Sequence, residues 1–196
     1  MRAARRSPGD GHQDTPMPRT LLVVGGSQGA RTLNQTMVAA LEDLKDLNLA
    51  YVHQTGETDW AVVRDAYRRR GAFARVEPFV EDMAGVYRVA DLAVSRAGGT
   101  TVAELAVVGL PAILVPYPHA THGHQERNAR LLVEAGAAEM IRDDDLTGPA
   151  LAAAIRRLLE DRGRLAGMAG RSRALGRPDA AERIVARCRA LVESGR

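Results

Sequence analysis

The chain has 196 residues, 45% of them apolar and only 4% aromatic, enough to fill one domain around an aliphatic core. Its formal charge of +3 rests on arginine, Lys45 being the sole lysine, and many arginines lie in the C-terminal third among Asp and Glu. That mixture reads as a solvated helical surface, and no aromatic-studded basic stripe marks a nucleic-acid site. A lone cysteine, Cys188, excludes an internal disulfide framework and fits a reducing cytoplasm, while no stretch reaches the roughly 18 apolar residues of a membrane span.

Residues 1–19 combine Pro, Gly, Asp and Ser with basic residues and lack the apolar region of a secretory signal. They read as a disordered leader or linker remnant. From Thr20 onward, short apolar runs alternate with helical patterns. Strands are expected over Thr20–Val24, Leu49–His53, Arg75–Pro78, Leu92–Ser95, Ala112–Pro116 and Ala138–Ile141. Helices are expected over Gly29–Leu44, Asp59–Arg70, Met83–Ala90, Thr100–Val108 and Gln125–Glu134. After Leu146 the pattern is helical throughout, broken at Gly176 and Pro178. The expected architecture is one α/β domain over residues 20–196: a Rossmann-like, doubly wound parallel sheet of about six strands with a helical C-terminal tail.

Ligands of such folds bind beyond the carboxyl ends of the strands. Four loops fall there, Gly25–Gly29, Phe79–Met83, Arg96–Thr101 and Tyr117–Gln125. Gly25-Gly26-Ser27-Gln28-Gly29 has the form G-x-S-x-G, which admits a nucleophile elbow with Ser27 as nucleophile. That elbow needs earlier strands to complete its oxyanion hole, and here it follows the first strand. No Walker loop and no G-x-G-x-x-G is present, and the second strand ends in His53-Gln54-Thr55-Gly56 without an acid for a ribose. What remains is either a tight strand–helix turn or a phosphate site in which Ser27 donates its hydroxyl and the helix amides face the anion.

Gly98-Gly99 opens a second helix after another strand, and Thr100 and Thr101 add hydroxyls. Two converging helix N-termini suit a diphosphate without a metal. Glu104, a turn further on, either complements the helix dipole or accepts hydrogen bonds from a ribose diol. His119, His122 and His124 are dense, but no cysteine or second ligand pair supports zinc, and the polar loop with Gln125 and Asn128 suits sugar hydroxyls better. No metal and no cofactor is expected.

The blocks VVGGSQGARTLNQ, FVEDM, ADLAVSRAGGTTVAEL, GLPAILVPYPH and HQERNA occur in the order of the C-terminal domain of the MurG-type glycosyltransferases, and from about Arg19 to Ser194 the chain resembles that family. The resemblance implies the C-terminal half of a two-domain GT-B fold, binding UDP-N-acetylglucosamine in a metal-independent, inverting transfer that forms lipid II for peptidoglycan. It implies that Gly26 and Ser27 lie at the phosphates, Ser27 on the α-phosphate, with Thr100 and Thr101 as further phosphate contacts. By the same carry-over Val80 recognises uracil through its backbone, Glu104 holds the ribose, and Gly99, His124 and Gln125 contact the sugar. Asn34 and Asn128 match family positions as well.

Two departures accompany the resemblance. Arg96-Ala97-Gly98-Gly99-Thr100-Thr101 stands where the family commonly reads Arg-Ser-Gly-Ala-Leu/Met-Thr. The family's N-terminal half, with its lipid-acceptor loops, membrane-facing patch and general base, has no counterpart in these residues. The chain alone is therefore expected to be inactive. It is either the donor half of a longer enzyme, a subunit of a split transferase whose membrane-bound partner holds the lipid-linked acceptor, or a non-catalytic UDP-sugar-binding module. A cytoplasmic location, reaching the inner face of the membrane only indirectly, is implied.

Overall fold

The computed structural model of the protein describes residues 17–26 and 29–194. The expected leader thus falls almost wholly outside the described residues, as do Ser27 and Gln28.

Six strands, β1 (Arg19–Val24), β2 (Leu49–Gln54), β3 (Phe73–Glu77), β4 (Leu92–Ser95), β5 (Ala112–Leu114) and β6 (Ala138–Met140), form one parallel sheet in the order β3-β2-β1-β4-β5-β6. Strand periodicity sorts the central side chains onto two buried faces. Leu21 and Val23 of β1, with Leu92 and Val94 of β4, face one helical layer; Leu22, Val24 and Ala93 face the other. β3 lies at the sheet edge, where Phe73 remains 76% exposed, so its first residues lack the apolar run that marks a central strand. The strand accordingly begins two residues before the expected Arg75.

The first layer holds α1 (Arg31–Ala40), α2 (Trp60–Arg69) and α6 (Gly148–Glu160); the second holds α3 (Met83–Val89), α4 (Gly99–Val108) and α5 (His124–Glu134). α1 is shorter than the expected Gly29–Leu44. Gly29 takes a left-handed φ of +76° and cannot join a right-handed helix, and Glu42–Leu44 tighten into a 3₁₀ turn. α3 is capped by Asp82, whose carboxylate accepts the Gly85 N–H at 2.8 Å. α4 ends on Gly109 in the left-handed conformation.

The C-terminal helices divide in their roles. α6, capped by Thr147, packs on α1 and buries Leu151, Ile155 and Leu158 completely. α7 (Arg162–Leu175) packs against α4, where Ser172 Oγ donates to the Leu105 carbonyl at 3.2 Å. α8 (Ala180–Ser194) projects with no buried residue, leaving Ile184, Val185, Leu191, Val192 and Cys188 exposed. Among the described residues no helix is long and apolar enough to cross a membrane.

Candidate functional site

The strand order reverses between β1 and β4, so the connections leaving these neighbours run to opposite faces of the sheet and open a crevice at their carboxyl ends. A cleft of about 510 Å³ lies there, lined by Gly25, Gly26 and Gly29 from the first turn, Gly98 and Thr101 from the second, and Gln125. A larger cleft of about 610 Å³ opens at the other end of the strands, beside α7. Its arginines are partly engaged already, Arg19 with Asp91 and Arg173 with the Val108 carbonyl.

The first turn is held tightly against β2. Gly29 donates to the Gly26 carbonyl at 3.0 Å, and a Cβ on Gly29 would stand 2.1 Å from the Thr55 carbonyl oxygen. Both helices that open onto the cleft, α1 and α4, lack a side-chain cap and lack an acid in their first turn. Among the described residues their leading N–H groups therefore have no carboxylate or hydroxyl partner of their own, and the positive ends of both dipoles face one space. Arg31 and Thr32, at the start of α1, line it too, and Arg31 is ion-paired with Asp59 at 3.4 Å.

Of the residues expected at the site, Gly26, Thr101 and Gln125 line the cleft directly. Gly99 and Thr100 are exposed on the first turn of α4. Glu104 is exposed one turn further on, and its carboxylate accepts a hydrogen bond from the Tyr87 hydroxyl at 2.8 Å. Burial, and then the adjacent carboxylate, push the Tyr87 phenol well above its ordinary pKa, so it stays a donor. His124 lies beside Gln125 with its Nδ1–H donating to the Thr121 carbonyl at 2.8 Å, which fixes the orientation of the ring. Gln125 is itself a staple: its Oε1 accepts from Ala97 N–H at 3.2 Å and Tyr117 N–H at 3.0 Å, leaving its amide hydrogens to point elsewhere. Val80 is buried and donates its N–H to Gln54 Oε1 at 2.9 Å. The described residues contain no group of three or more His, Cys, Asp or Glu placed to hold a metal.

Asn34 and Asn128 have structural partners. Asn128 Nδ2 donates to the Ala97 carbonyl, and Asn34 Nδ2 to Thr55 O and Asp59. With both its hydrogens spent, Asn34 presents Oδ1 to His53 Nε2 at 3.0 Å, so that nitrogen carries the ring proton and Nδ1 accepts from Tyr67 at 3.1 Å. Full burial holds the His53 imidazole neutral and drives its pKa down to about 3.

Sequence reasoning missed Arg96 and Gln54. Arg96 follows β4 and is 8% exposed, its guanidinium bonded to the Val115 and Pro116 carbonyls and to Asp143, while the same side chain lines the cleft. A charge set directly after a buried strand is a signal for such a role, but a partner 47 residues away has no local signature.

Fold and site together define a Rossmann-like, doubly wound α/β domain with its cleft at the topological switch point. Residues 20–184 match the glycosyltransferase family 28 C-terminal domain, and the chain belongs to that family. It is 50% identical over 168 residues to the UDP-N-acetylglucosamine--N-acetylmuramyl-(pentapeptide) pyrophosphoryl-undecaprenol N-acetylglucosamine transferase of Nitratidesulfovibrio vulgaris strain DP4, covering 85% of this chain and 46% of that protein. The enzyme of the same name from Myxococcus xanthus strain DK1622 is 48% identical over 171 residues, covering 86% and 45%. The crystal structure of Acinetobacter baumannii MurG superposes with a TM-score of 0.78 at 35% identity, over 90% of this chain and 53% of that one. The family resemblance carried by the five sequence blocks is thereby borne out. The chain spans about half the length of the curated relatives it matches.

Proposed function

We propose that this chain binds UDP-N-acetylglucosamine and forms the donor-holding half of a MurG-type hexosyltransferase. The observation that carries the reading is the meeting of two uncapped helix N-termini, α1 and α4, on one switch-point cleft with Glu104 a turn beyond. Backbone amides at both termini take the diphosphate together with Gly26, Ser27, Thr100 and Thr101, and no metal is needed to balance its charge. Val80 meets the uracil, Glu104 accepts from the ribose hydroxyls, and Gly99, His124 and Gln125 hold the sugar.

In the transfer, an acceptor hydroxyl attacks the anomeric carbon from the face opposite the leaving UDP, inverting it. The bond to the β-phosphate oxygen breaks and the acceptor proton passes to a general base. Negative charge developing on UDP is stabilised by the same helix termini. The base and the lipid-linked acceptor belong to the half that this chain does not span, supplied by a longer polypeptide or by a membrane-bound partner subunit. Contact with the inner face of the membrane is then indirect, and nucleic acid is not a partner.

The test is calorimetric titration of the chain with UDP-N-acetylglucosamine, UDP, GDP and NADH, repeated with Glu104→Ala. Selective uridine-nucleotide binding, weakened in the variant, is the expected outcome. A folded chain that binds no uridine nucleotide overturns the proposal.

A further inference from the structure

Gln54 ends β2, the strand between β1 and β3, and is 3% exposed. Both polar ends of its side chain are engaged, each with a different loop. Nε2 donates to the Gly26 carbonyl at 3.1 Å, and Oε1 accepts the Val80 N–H at 2.9 Å. The two partners lie 28 and 26 residues away in sequence, one in the turn that leads into α1, the other in the segment that leads into α3. The neighbouring tie from β2 to the end of β3 runs through backbone, Thr55 N–H to Glu77 and Gly56 N–H to Pro78. Gln54 is what carries that segment across to the glycine turn by a side chain. Backbone bonds support the same turn, Gly29 N–H to the Gly26 carbonyl at 3.0 Å and Gly25 N–H to the Gln54 carbonyl at 3.4 Å, but Gln54 alone among the described side chains joins it to the Val80 segment.

We propose that Gln54 is a positioning residue that fixes the spacing between the phosphate-binding turn and the nucleobase-binding segment, so that a nucleoside diphosphate is recognised as one rigid piece. This rests on the donor-site reading above. Two moieties of one ligand bind more tightly together than apart only while the groups that receive them are held at a set distance. A polar residue that merely fills the core would affect stability and leave that coupling unchanged.

The experiment titrates the full chain, Gln54→Met and Gln54→Glu with UDP and with inorganic pyrophosphate, and follows folding by thermal melts. Gln54→Met keeps the volume and deletes both bonds; Gln54→Glu keeps an acceptor for Val80 and loses the donor to Gly26, and it decides the matter should the first variant fail to fold. The charge it adds weakens both ligands and largely cancels in their ratio. The expected result is a preference for UDP over pyrophosphate in the wild type that falls roughly fivefold to tenfold in either folded variant. An unchanged ratio in a folded variant overturns the role of Gln54 alone. A wild type that binds no uridine diphosphate overturns the donor reading and this inference with it.

Discussion

The Tyr87 hydroxyl donates to Glu104 Oε2 at 2.8 Å, so a buried side chain of α3 fixes the orientation of an exposed carboxylate on α4. One carboxylate oxygen is held from the protein side, and the lone pairs that remain can meet a vicinal diol. Glu104→Ala removes that acceptor and should weaken UDP binding by about tenfold, a loss of about 1.4 kcal/mol. Tyr87→Phe keeps the ring packing and frees the carboxylate to rotate, with an expected loss of roughly threefold. Pyrophosphate affinity should stay unchanged in both. Calorimetry with the two ligands checks this; an equal loss for pyrophosphate would remove Glu104 from the ribose.

His53 ties stability to pH. Its folded pKa lies near 3 and the unfolded value near 6.5, so below pH 6.5 the unfolded chain binds a proton that the folded chain refuses. The stability held above pH 6.5 is therefore lost as pH falls toward 3, by up to about 1.4 kcal/mol per unit from this group. Glu42, Asp46 and Glu126 have lowered pKa values and act in the same direction only at more acid pH. Urea melts between pH 7 and 5 isolate the histidine. His53→Gln should flatten the slope in that window, and an equally steep slope in the variant would assign the loss elsewhere.

Much of this arrangement could be read from the chain itself, and the reason is local physics. The continuous apolar run of β1, buried on both faces, and the helical spacing in α4 are short-range patterns imposed by burial, and Gly25–Gly29 and Gly98-Gly99 mark turns because their backbone demands are local. The Asn34–His53–Tyr67 chain, the Gln54 bridge and the Arg96–Asp143 pair were not readable. Each joins residues brought together by strand order, and the residue types involved carry no spacing that names the partner. The α6 pattern likewise foretold an amphipathic helix without telling that α1 receives its apolar face.

Arg96 and Asp143 form a pair whose side chains are 9% and 18% exposed. The guanidinium also bonds two carbonyls at the end of β5, which anchors the Tyr117 loop beside the cleft. Removing the acid leaves a nearly buried cation unpaired. Asp143→Ala should therefore cost about 3 kcal/mol in chemical denaturation. It should also weaken UDP binding as the Tyr117 loop loosens. A change below about 1 kcal/mol would mean that the two carbonyls alone satisfy Arg96.

Gly26 and Gly29 share a left-handed backbone but differ in their surroundings. At Gly26 an added Cβ meets nothing within 4 Å among the described residues beyond its chain neighbours, so Gly26→Ala should cost only the conformational term, about 1–2 kcal/mol. At Gly29 the same atom would stand 2.1 Å from the Thr55 carbonyl oxygen, and both partners are backbone. No rotamer relieves that overlap; the turn must separate from β2, taking the start of α1 with it. Gly29→Ala should thus destabilise the domain by more than Gly26→Ala and abolish UDP binding even where the chain still folds. Thermal melts and titrations of the two variants side by side provide the check. Equal effects would show that strain at the left-handed φ, rather than close approach to β2, is what demands glycine in this turn.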